Sequence, residues 1–151
     1  MKAGLDVVGL PFVDGGGQRV GKVRDLVLDD NGRRVLGMVL ELGWLRRRHR
    51  FVPLHHVQAI RRDQVVATLD SPPATPPERA NSSLTGKVAV SRLGRYLGVV
   101  GDVYFDERTG AVSAYEIVRP ERRSGSAGRT IVPAGACPAI ADVMVVAEVS
   151  A

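Results

Sequence analysis

The chain carries one pattern twice, and no other feature limits its possible folds as strongly. The run "RVGKVRDLVLDD" at 19–30 returns as "RYLGVVGDVYFDE" at 95–107. Gly21, Val23, Asp25 and Asp29 reappear 77 positions later as Gly98, Val100, Asp102 and Asp106. Further on, "FVPLHHVQAIRRDQVVA" (51–67) returns as "IVPAGACPAIADVMVVA" (131–147), now 80 positions later. One loop of the second copy is therefore three residues longer. A duplication defines the folding unit before any element is assigned, and here that unit is about 70 residues. So small a unit buries only about 60% of its unfolded surface, so two in one chain gain by docking.

Between the copies, "SPPATPPERANSS" (71–83) holds four prolines and no large apolar side chain. It reads as a semi-rigid linker, which divides the chain into 1–70, 71–83 and 84–151. Within each copy, Val, Leu and Ile come in runs of four to eight, punctuated by Gly, Asp and Asn, a strand signature. The first copy reads as strands near 6–13, 19–29, 33–42, 50–54, 57–60 and 64–69. "DGGGQ" and "DDNG" form turns, and Asn31-Gly32 is a strong hairpin signal. "LHHVQAI" and "AGACPAI" have room for a short helical turn. The expected fold is all-β: two tandem small antiparallel β-barrels, each closed around its own core so that no sheet edge is left open.

Hydrophobic residues make up 44% of the chain and charged residues 25%, as in a globular protein. No apolar run approaches the roughly 18–20 residues of a membrane helix, and the start lacks the apolar core of a signal peptide. A cytoplasmic location is the expectation. The net charge of +5 belongs mainly to the first copy, where residues 1–75 carry 12 Lys/Arg against 8 Asp/Glu. That is short of the dense basic footprint of a dedicated nucleic-acid binder.

Four groups of residues are candidates for chemistry. The repeated pairs Asp25/Asp102 and Asp29/Asp106 suit acid–base work, or equally turn and bend capping by their side-chain oxygens; retention in both copies favours capping. "WLRRRHR" (44–50) sets Trp44, Arg46, Arg47, Arg48 and Arg50 together between two strands. It can grip phosphate and stack on a base, meet an anionic membrane or acidic protein surface, or merely keep a sheet edge soluble. His49, His55 and His56 invite a metal, but adjacent histidines on a strand point to opposite faces, and no metal or cofactor is expected. Cys137 aligns with Val57 and reads as a small buried hydrophobe. Finally, the strand at 33–42 is apolar on both faces. Leu36, Met38, Leu40 and Leu42 form a surplus stripe, expected to pack against the second copy or a second chain.

"GLPFVD" (9–14), "RVGKVRDLVLD", "NGRRVLGMVLE" and "RFVPLHHVQAI", with their partners "GKVAV", "GVVGDVYFDERTGAVSAYEI" and "TIVPA", together resemble the PRC-barrel domain, twice over. That family is a six-stranded β-barrel of this size. It includes the C-terminal domain of the bacterial ribosome-maturation factor and the cytoplasmic domain of the photosynthetic reaction-centre H subunit. The resemblance implies a non-enzymatic adaptor that binds a protein partner. RNA or ribosome assembly, and a peripheral role at a membrane complex, stand as alternatives.

Overall fold

The computed structural model of the chain describes residues 1–43, 48–69, 74–78, 80, 84–120, 127–141 and 143–147. It is all-β apart from one helical turn and two 3₁₀ turns. In the first copy, strand β1 (Lys2–Ala3) leads into α1 (Gly4–Val7), followed by β2 (Pro11–Val13), β3 (Arg19–Leu28), β4 (Val35–Leu42), β5 (Arg48–Pro53), β6 (Val57–Ile60) and β7 (Val65–Ala67). The second copy contributes β8 (Val88–Ser91), β9 (Tyr96–Phe105), β10 (Val112–Pro120), β11 (Ala127–Pro133), β12 (Ala139–Ile140) and β13 (Met144–Val146). The expected helical turns fall at Leu54–His56 and Ala134–Ala136. The strand expected at 6–13 is shorter, because the chain makes the α1 turn and then bends at Gly9, whose φ is 93°.

The two sheets have the same order, β5-β4-β3-β2-β7-β6 and β11-β10-β9-β8-β13-β12. Two expectations are corrected here. The sheets are not wholly antiparallel, since β2 pairs with β7 and β8 with β13 in parallel. Nor do they close: among the described residues, the end strands of each order do not pair. One end strand of each order is short, β6 having four residues and β12 two, which leaves little backbone for a closing ladder. Bulges between Val23 and Asp25, and at the matching place in β9, bend the sheets instead.

The expectation of two private cores is also corrected. Phe12, Met38, Leu40 and Val52 belong to one continuous apolar cluster with Leu84, Phe105, Tyr115 and Met144. β1 leaves its own copy and pairs with β9, Lys2 opposite Phe105 and Ala3 opposite Tyr104. Small sheets with incomplete edges bury more apolar surface by sharing a core than by closing separately. Much of the proposed linker lies outside the described residues; within it, Ala74 bridges Phe51 on the outer edge of β5.

Candidate functional site

The seam between the copies is built from their equivalent turns. Asp29 caps the first: its Oδ1 accepts the Arg33 N–H at 2.8 Å, while its carbonyl accepts the Gly32 N–H at 3.0 Å. Asp106 caps the second, its Oδ1 taking the N–H groups of Arg108 and Thr109 at 2.8 and 3.0 Å. These donors hold the Asp106 carboxyl below its ordinary range. The two turns then dock on each other. Val35 donates its N–H to the Gly110 carbonyl at 2.7 Å, and Val112 donates to the Arg33 carbonyl at 2.8 Å. Positions 33 and 110, and 35 and 112, are equivalents, and the bridge between them pairs the equivalents Arg34 and Ala111. Such reciprocity is the pattern of a two-fold interface, written here within one chain. The Tyr115 hydroxyl, wholly buried, donates to the Gly32 carbonyl across the seam, and the Arg33 guanidinium donates to the Cys137 carbonyl at 2.9 Å.

Asp25 and Asp102 each follow a bulge and bend their carboxylate back onto the next main-chain N–H, Leu26 at 2.8 Å and Val103 at 2.7 Å. Asp102 also accepts the Leu5 N–H at 3.0 Å, which ties the first copy's α1 to the second copy's sheet. Both side chains line one small cavity between the copies, of about 30 Å³. Burial raises both pKa values, and the main-chain donors offset part of that rise. A folded state that holds a proton more tightly than the unfolded chain is most favoured below the unfolded value of 3.8, and loses that advantage as pH rises through the folded values. The expected result is that Asp102→Asn, whose Oδ1 still accepts both N–H groups, flattens this part of the pH profile. Urea midpoints of the variant and the natural chain, measured from about pH 3 to 7, give the difference curve; a curve with no slope would remove the assignment.

Of the arginine-rich run, Trp44, Arg46 and Arg47 lie outside the described residues. Arg48 and Arg50 lie on β5, and the strand alternation separates them from His49. Arg50 stands opposite the buried Leu40 and Arg48 opposite the half-buried Leu42, so the two arginines border the aliphatic stripe. His49 stands opposite Glu41 on the other face, where the exposed Arg24 guanidinium reaches its ring. Arg24 was not singled out from sequence; it is the bulge residue of β3, and a bulge cannot be placed without the register.

The surplus stripe divides. Met38 and Leu40 are fully buried in the shared core, so they present no surface to a second chain, while Leu36 and Leu42 are half-buried. The main-chain contacts between the copies run through residues 33–35 and 110–112 and through β1 on β9. His55 and His56 do not point apart as strand residues would. The 3₁₀ turn brings their rings edge to face, with centroids 4.2 Å apart. Among the described residues, no three His, Cys, Asp or Glu side chains are grouped to hold a metal ion. Cys137 is buried, and burial pushes its thiol up to about 11, away from thiolate chemistry.

The PRC-barrel domain matches the sequence twice, over residues 2–75 and 76–151. The chain belongs to the PRC-barrel domain family. These two matches adjoin, and together they cover the tandem copies seen as two sheets of equal strand order. PRC-barrel domains are generally protein-interaction modules. Among the described residues, no helix is long and apolar enough to cross a membrane. No curated protein matches the chain.

Proposed function

We propose that this tandem PRC-barrel protein is a non-enzymatic adaptor in the cytoplasm that works through protein–protein contacts. Its working surface is the open end of β4 and β5 with their connecting loop. The observation that carries this reading is the placement of Arg48 and Arg50 on one face of β5, the end strand of its sheet order, with Arg48 opposite the half-buried Leu42 of β4. Arginine heads beside a half-buried leucine suit an acidic, partly apolar protein surface, since guanidinium groups pair with carboxylates in two-pronged fashion. Trp44, Arg46 and Arg47 extend the same stretch of sequence and supply an aromatic anchor and further donors.

A pull-down from native lysate, run with and without nuclease, tests the reading. The expected result is a partner retained after nuclease treatment, and lost when Arg46, Arg47, Arg48 and Arg50 are all changed to alanine. Loss of capture on nuclease treatment favours RNA instead. In that case affinity falls with salt at a log–log slope of about −3 for roughly four phosphate contacts to a single strand. Capture indifferent to the four substitutions sinks the assigned surface.

A further inference from the structure

One asymmetry of the pseudo-two-fold seam opens a recess of about 460 Å³. Leu54, Val57 and Ile60 form its apolar floor, and His55, Glu107 and Arg108 its rim. In the other half, the residues equivalent to Val57 and Ile60 are Cys137 and Ile140. There the first copy's turn lays Gly32 close against Ile140, and the Arg33 side chain reaches in to the Cys137 carbonyl. The residue equivalent to Arg33 is Gly110. The two turns differ by one step: the first places its left-handed glycine at Gly32, with φ 65°, and the second at Gly110, with φ 79°. At position 33 the first copy therefore presents a long cationic side chain, where the second has only Gly110. Nor can the second acquire one, because a Cβ on Gly110 would run into the Val35 carbonyl.

We propose that the recess receives an arginine side chain of a partner protein, which takes against the first copy the place that Arg33 takes against the second. The methylenes of that arginine cover Leu54, Val57 and Ile60, and its guanidinium meets the Glu107 carboxylate. Arg108 and His55 stand on the same rim, so the incoming charge sits on the Glu107 side. This inference rests on the adaptor reading and names a second anchor for it, apart from β5.

The probe is N-acetyl-arginine amide, titrated into the full chain and followed by amide NMR shifts. Saturable shifts are expected at residues 57–60 and 107–108. They weaken at least about fivefold with the neutral isostere N-acetyl-citrulline amide, and by a similar factor in Glu107→Gln. Arg108→Ala binds the probe no more weakly than the natural chain. Equal binding of the citrulline probe, preference for an N-acetyl-glutamate amide, or the lack of saturable shifts overturns the proposal. In the pull-down, Glu107→Gln is expected to reduce capture of the nuclease-resistant partner. Unchanged capture in that variant removes the recess as a partner site while leaving the adaptor reading intact.

Discussion

Replacing Tyr115 with alanine is expected to destabilise the whole chain by about 3–5 kcal/mol, in one transition rather than two. Tyr115 is the largest of the fully buried side chains, and it packs in the cluster that contains residues of both copies. Its hydroxyl donates to the Gly32 carbonyl in the other copy, and burial pushes its pKa up to about 12, so it remains a neutral donor. Truncation therefore opens a cavity at the seam and orphans a carbonyl. A loss of this size is a large share of the roughly 5–15 kcal/mol that holds a typical domain folded. Tyr115→Phe separates the two effects: it keeps the ring and is expected to lose about 1 kcal/mol. Calorimetry decides the point. A variant in which the first copy melts at its natural temperature while the second melts early would show that the core is not shared.

Gly110→Ala is the second large effect, with an expected loss of about 3 kcal/mol or more. Two costs coincide there. A φ of 79° costs a residue with a Cβ about 1–2 kcal/mol, and this Cβ meets the Val35 carbonyl oxygen well inside van der Waals contact. The seam must part to relieve the clash, which breaks the Val35 to Gly110 hydrogen bond. Gly94→Ala is the control. Its φ of 82° is equally left-handed, but no atom lies within 4 Å of the added Cβ. That variant is expected to lose only the conformational cost, about 1–2 kcal/mol. Equal urea midpoints for the two variants would mean that the clash at Gly110 is relaxed without disturbing the seam.

Much of this was legible in the sequence because it is local. The Asp29 and Asp106 caps follow from an acceptor side chain reaching N–H groups a few residues on, and the 3₁₀ turns at Leu54 and Ala134 follow a proline. Strand positions followed from runs of β-branched residues between turn formers. The closed barrels and private cores failed, and other points stayed open, where a pattern depends on register or partner. Both faces of 35–42 are apolar, and only the assembled sheets show that Met38 and Leu40 enter the core common to both copies. The arginine run does not say which of its residues share a face: strand alternation sets Arg48 and Arg50 apart from His49 and gives that histidine Arg24 as a neighbour.

Repetition of Gly, Asp and Val-Pro positions settled by itself that there are two copies of one β unit and which family they belong to, since each such residue answers to its own few neighbours along the chain. Whether those units stand apart or merge was decided only in three dimensions. Apolar patterning says that a face must be covered without saying by what, so the crossing of β1 onto β9, the shared core and the opposition of Arg33 to Gly110 emerge only when the two sheets meet.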